Sequence, residues 1–237
     1  MKKMTLSQHF VELRSRILWT FAFFAVSLIL GWYLSPVMQE FLTAPLLNVW
    51  SDGAFLYTGV ADGLMIRFSL SVLFALFLVT PFALWQIWAF VAPGLHKKEK
   101  NIVWPIMICS PVLFLAGVAF AFYVLFPFVF SFFIELNQSA PVPSVILPVA
   151  KDYLSFSIGL LKLFGLAFQL PLVMILLNRI GVLSKTRVVK MRRYAIVFIV
   201  IIAAVLTPPD VVSQILLALP MWGLFEISIL FMKSDEK

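Results

Sequence analysis

The feature that most constrains this chain is the recurrence of apolar runs long enough to cross a lipid bilayer. A spanning helix needs about 20 predominantly apolar residues. Six segments meet or approach that length: 17–34, 64–91, 102–134, 154–177, 194–206 and 211–232. With 62% of 237 residues hydrophobic and 12% charged, against about 25% charged in a soluble domain, lipid is the solvent this chain requires. The sequence predicts an all-α, polytopic membrane protein of six transmembrane helices forming one membrane domain over residues 1–237, with no loop long enough for a soluble domain. The basic start at Lys2 and Lys3 leads into an apolar stretch without a small-residue cleavage site, so the first run is expected to be a retained span.

Orientation follows from the basic residues. All but three of the 18 lysines and arginines fall on one side: at the N-terminus, in the loops after the second and fourth spans, and in the tail. The exceptions are Lys151 in an opposite loop, and Arg67 and Lys162 within apolar runs. Both termini are therefore expected in the cytoplasm. The net charge of +7 reports membrane orientation and calls for no nucleic-acid partner.

Between the first two spans, Ser35 and Pro36 read as the N-cap and first residue of a short helix along the outer interface. The fifth span is 13 residues, roughly 20 Å of helix against a hydrocarbon core of roughly 30 Å. The hairpin at Thr207-Pro208-Pro209-Asp210 is thus expected to stop short of the far surface, where the bilayer thins or another chain covers it. Pro81, Pro105, Pro111, Pro127, Pro171 and Pro220 interrupt the spans. Each removes a backbone hydrogen bond and favours a kink, and kinked helices packed together leave a concave face.

Few polar residues offer chemistry. Thr5 and Gln8 fit a capping box, followed by the apolar stripe Leu6, Phe10, Leu13 and Ile17. Glu12 lies off that stripe, four residues before Arg16. Taken alone the two make an exposed helix pair worth about 0.3–0.5 kcal/mol. Glu99, inside Lys97-Lys98-Glu99-Lys100, reads by itself as part of a solvated charge run at a helix start. On one membrane face, however, two such carboxylates can clamp a pair of guanidinium groups. Gln169 and Lys162, seven residues apart in the fourth span, share a helical face; Gln169 reads as lining an intramembrane groove, and Lys162 either joins it or snorkels outward. Glu226 falls at the depth of Arg192 and Arg193, which points to an interfacial ion pair and not a proton relay. The lone Cys109 rules out an internal disulfide. No catalytic dyad, metal cluster or phosphate loop is present, so neither an enzyme nor a cofactor is expected.

Taken in order, several motifs resemble the TatC family of the twin-arginine protein translocase. They are His9-x-x-Glu12-Leu13-Arg14, Ala44-Pro45-Leu46, Gln86-x-Trp88-x-Phe90-x-x-Pro93, Glu99, Phe126-Pro127, Phe164-Gly165-x-x-Phe168-x-x-Pro171, Leu206-Thr207-Pro208-Pro209-Asp210-x-x-Ser213-Gln214, and Pro220 with Phe225-Glu226. The resemblance implies a signal-peptide receptor in a bacterial inner membrane. Its cargo would be folded proteins whose signal peptides carry consecutive arginines, with transport driven by the protonmotive force. It implies recognition by Glu12, Glu99, Arg14 and Phe90, and docking of single-span TatA/TatB-type partners near Leu206, Thr207 and Gln214. An oligomeric assembly with those partners is implied too. Gln169 departs from the glutamate common in the family, which leaves a hydrogen-bonding role there but not an ionised one. Residue physics alone leaves two alternatives, a secondary transporter with a midplane site at Lys162 and Gln169, and an assembly scaffold.

Overall fold

The computed structural model describes residues 6–49, 54–91, 97–139, 147–207 and 211–234, and only the backbone of residues 6–9, 91 and 97–103. Its helices are α1 (Leu6–Val49), α2 (Asp62–Val91), α3 (Lys97–Phe120), α4 (Phe126–Gln138), α5 (Ala150–Ala167), α6 (Leu170–Arg179), α7 (Lys185–Lys190), α8 (Arg192–Leu206) and α9 (Val211–Phe231). A π-helical turn, Ala121–Leu125, joins α3 to α4. Among the described residues, five helical stretches are long and apolar enough to cross a membrane: Phe10–Val49, Asp62–Phe90, Trp104–Gln138, Ala150–Arg179 and Val211–Phe231. The remaining run, the fifth along the chain, is α8, whose 15 residues make roughly 22 Å of helix. Large apolar side chains such as Phe21 and Val205 stay exposed on these helices, as expected where lipid covers them.

The chain divides into two compact units. The first comprises α1 as far as Met38, α2 from Arg67, and α3 as far as Val112. Within it α1 and α2 run antiparallel. Gly31 approaches Ser71, the Phe23 ring meets that of Phe82 at a 45° tilt with 5.0 Å between centroids, and Arg16 reaches Gln86. The approach at Gly31 is close because no side chain intervenes: a β-carbon there would lie 2.8 Å from the Ser71 carbonyl oxygen. Ser27, Gly31 and Ser35, spaced four apart, form a buried stripe of small residues on α1, the pattern that lets membrane helices pack closely.

The expected short interfacial helix is not separate, because α1 continues through Ser35 and Pro36 to Val49. Pro36 has no N–H to give to the carbonyl of Trp32, four residues back. The Ser35 hydroxyl donates to that carbonyl instead, at 2.8 Å. Ser35 thus repairs a helix where the sequence suggested that it starts one.

The second unit holds Gln39–Ile66 and Leu113–Lys237. A run of aromatic rings forms much of its interior. Phe41 lies flat on Phe122 at 4.3 Å, and Phe122, Phe126, Phe130 and Tyr153 follow in succession. The Tyr153 hydroxyl donates to the Leu42 carbonyl at 2.7 Å. Leu56 pairs with Val149 in a single parallel bridge that straps the loop before α2 to the start of α5. Asp62, the first residue of α2, ties the preceding turn to the helix, accepting from the Thr58 and Gly59 amides and the Thr58 hydroxyl.

Two of the prolines coincide with breaks. Pro171 cannot donate to Ala167, and the helix is interrupted there between α5 and α6. Pro127 follows the π turn, in which the Phe126 amide reaches back five residues to Ala121. Pro81, Pro105, Pro111 and Pro220 lie inside continuous helices.

α6 ends in a Schellman turn at Gly181 (φ 78°), with Val182 donating to Leu177 and Gly181 to Asn178. Asn178 then ties three chain ends together. Its side-chain amide donates to Leu183 and Lys233 carbonyls, and its oxygen accepts from the Lys233 amide at 2.7 Å. Beneath this knot, Val188 of α7 packs with Ile229 and Met232.

Candidate functional site

The first turns of α1 carry the main charged site. Glu12 and Arg16 stand one helical turn apart on one face, so their side chains meet. Arg16 donates Nε (3.0 Å) and Nη2 (2.7 Å) to the same Glu12 oxygen, Oε1. Its Nη1 donates to Gln86 Oε1 of α2 at 2.5 Å. The ion pair is half-buried, with the two side chains 25% and 22% exposed. The guanidinium therefore links a carboxylate on one helix to an amide on its neighbour.

Beside this network lies a cleft of about 270 Å³ between α1 and α2, where Arg16 and Gln86 meet Leu13, Ile17, Phe21 and Phe90. Phe90 and the Glu12–Arg16 pair, predicted from separate motifs, thus share one locality. Arg14 does not. It is exposed and borders a shallow groove with Val11, Ser15, Leu18 and Trp19 on another face of α1. Glu99 occupies the first turn of α3, and its side chain lies outside the described residues, as do those of His9 and Leu6, together with Thr5 and Pro93.

Gln169 is buried at the α5–α6 junction. Its amide bonds to Leu166 and its carbonyl accepts from Val173, so it bridges the two helix segments. Lys162, seven residues earlier on α5, is exposed. The break at Phe168 and Gln169 interrupts the helical count between them, and the two side chains occupy different surroundings.

Within the second unit, α8 and α9 form a hairpin, of which residues 208–210 lie outside the described residues. Thr207 is buried and ends α8, with both its amide and its hydroxyl donating to Ala203 at 2.9 Å. Gln214 of α9 donates to the Val200 carbonyl of α8 at 3.1 Å. Leu206 is half-buried beside them. An apolar groove of about 260 Å³ runs along the hairpin between Ile196 and Val200 on α8 and Ile215, Leu219 and Trp222 on α9. Near the other end of the hairpin Glu226 accepts from Arg192 at 2.7 Å, the ion pair expected from their matching depth.

Two participants escaped the sequence. Gln86 is 70 residues from Arg16, and nothing in local spacing links them, although Gln86 stands in the same motif as Phe90. Asn178 carries no motif at all, and only its place just before a helix-ending glycine hints at a capping role.

Among the described residues no cluster can hold a metal ion. The fold and its charged site define a polytopic helical membrane protein that seats a guanidinium against a carboxylate where a spanning helix begins. Residues 8–220 match the family described as Sec-independent protein translocase protein (TatC), and the chain belongs to that family. The corresponding protein of Azotobacter chroococcum is 41% identical over 96% of this chain and 89% of its own length. That of Haemophilus influenzae is 39% identical over 94% and 86%, and that of Escherichia coli 36% over 94% and 86%. Two crystal structures of the twin-arginine translocase receptor TatC superpose with TM-scores of 0.84 and 0.86. Their identities are 30% and 29%, covering 94% and 95% of this chain and 97% and 99% of theirs. The chain is accordingly a component of a protein translocase and not an enzyme.

Proposed function

We propose that this chain is the signal-peptide receptor of a twin-arginine translocase, a single membrane domain of six spans with both termini in the cytoplasm of a bacterial inner membrane. In this reading Glu12 and Glu99 pair with the two arginines of a signal peptide on folded cargo. Phe90 and Arg14 complete the recognition surface. The peptide's apolar stretch then enters a concave face near Gln169. TatA/TatB-type single-span partners dock on the short α8–α9 hairpin near Leu206, Thr207 and Gln214, and the assembled complex uses the protonmotive force.

The observation that supports this most directly is Glu12, which already holds a guanidinium through two N–H donors. Such charge-assisted contacts favour arginine over lysine, whose ammonium is a point charge without the planar fork. The short α8 supports the docking role, since roughly 22 Å of helix leaves a hairpin tip that a partner can cover. The test is binding of labelled twin-arginine and twin-lysine signal peptides to the wild type and to Glu12→Ala and Glu99→Ala. Each substitution is expected to weaken the twin-arginine peptide at least tenfold more than the twin-lysine one, the ratio that about 1.4 kcal/mol of lost charge-assisted bonding gives. Equal losses for the two peptides would show that these acids do not read guanidinium groups.

A further inference from the structure

The carboxylate assigned to the ligand is occupied by the chain itself. Arg16 spends three N–H donors on two acceptors, Nε and Nη2 on Glu12 Oε1 and Nη1 on Gln86 Oε1. Glu12 Oε2 is buried, so a peptide guanidinium reaching this carboxylate meets Oε1, the oxygen that Arg16 already holds. We infer that Arg16 is a resident competitor: it neutralises Glu12 in the unliganded receptor, yields the carboxylate when a peptide arginine arrives, and so sets the affinity of the site. The inference rests on the receptor reading of Glu12.

Three features make the exchange feasible. The pair is formed within one helix and its side chains are about one-quarter exposed, so solvent reaches the pair as it parts. Both Arg16 donors converge on one oxygen, which is a poorer geometry than the parallel fork to two oxygens. Gln86 offers a neutral acceptor that retains Arg16 by Nη1 after Glu12 is released. The displaced guanidinium is then caught at the mouth of the α1–α2 cleft.

A competitor of this kind leaves a distinct signature. It lowers the apparent affinity of every cationic ligand by the same factor, the fraction of time that Glu12 is free. Discrimination between arginine and lysine stays with Glu12, and overall tightness with Arg16. If Arg16 holds Glu12 about four-fifths of the time, its removal tightens all ligands about fivefold. A purely structural tie between α1 and α2 predicts the reverse, since loosening the site weakens binding.

The experiment uses membrane vesicles carrying the assembled translocase. Labelled twin-arginine and twin-lysine peptides are titrated against wild type, Arg16→Gln, Arg16→Lys and Glu12→Gln. Arg16→Gln is expected to tighten both peptides by the same factor, about fivefold. Arg16→Lys, which keeps the charge but not the fork, is expected to do so by a smaller factor, and gives the answer should Arg16→Gln fail to fold. Unchanged or weakened binding of either peptide in the Arg16 variant that folds overturns the inference. Wild-type binding of both peptides by Glu12→Gln would instead overturn the receptor reading of Glu12 beneath it.

Discussion

Gly117 of α3 is the point where helix packing in the second unit is least forgiving, and replacing it by alanine gives a sharp prediction. A β-carbon at Gly117 would lie 2.4 Å from the Phe164 carbonyl oxygen and 2.9 Å from the Phe164 carbonyl carbon. Ordinary contact begins near 3.4 Å, so the two helices must separate by about 1 Å over at least a turn. The closest obstacle cannot yield cheaply, because it is the backbone of α5 at Phe164. Overpacking of a tight interior costs about 1–3 kcal/mol, and a backbone obstacle places this case in the upper half, about 2–3 kcal/mol. Alanine also gains about 1 kcal/mol of helix propensity over glycine, and that gain must be removed from the comparison. Gly223 of α9 supplies the control, since a β-carbon there meets nothing within 4 Å. At roughly 2–4 °C per kcal/mol for a chain of this length, Gly117→Ala should melt roughly 4–12 °C below Gly223→Ala. The assay is thermal unfolding of the purified protein in one detergent, followed by circular dichroism. Midpoints agreeing within about 1 °C, against the 4 °C minimum expected, would refute the close approach of α3 and α5.

Asn178→Ala removes two donated bonds and one acceptor from the junction of α6 with the end of α9, and is expected to cost about 1–2 kcal/mol. Proteolysis after Phe231 should accelerate, while Asn178→Asp, which keeps the acceptor for Lys233, should fall between; a cleavage rate equal to wild type in Asn178→Ala would disprove the tie. Tyr153→Phe deletes the hydroxyl that reaches the Leu42 carbonyl and keeps the ring, so a loss of about 1 kcal/mol is expected. An unchanged melting midpoint would mean that this bond contributes nothing to joining α1 with α5.

What the sequence disclosed was mostly what bilayer physics enforces on any chain. Apolar length located the long helices and also the shortfall in the fifth run, which α8 repeats with 15 residues. Proline rules located the irregular turns beside Pro127 and Pro171 and overstated Pro81, Pro105, Pro111 and Pro220, which lie inside continuous helices. They misled at Pro36, because the Ser35 hydroxyl satisfies the Trp32 carbonyl and lets α1 run to Val49. A side chain that mends a backbone bond has the same composition as one that caps a helix, and local pattern cannot separate the two. The charged site was half legible. The i,i+4 spacing of Glu12 and Arg16 announced a pair, but its third member, Gln86, is set by how α1 packs on α2. Counting along the fourth span placed Lys162 and Gln169 together, and the turn at Phe168 and Gln169 breaks the period that the count relies on.

The π turn at Ala121–Leu125 has a consequence for how this chain tolerates insertions and deletions. A helix that admits one extra residue in a single turn sets everything beyond it back by about 100° relative to an unbroken count. Deleting one residue there would leave an unbroken helix with α4 still facing the core, whereas closing the turn without a deletion would swing α4 about 100° around its axis. Phe126, Val129 and Phe130, now buried, would leave the interior together, with Phe130 lifted off Tyr153. The bulge therefore works as an angular offset between the two halves of one long helix. Homologous segments that lack it would have to carry their apolar residues one position earlier to fill the same core.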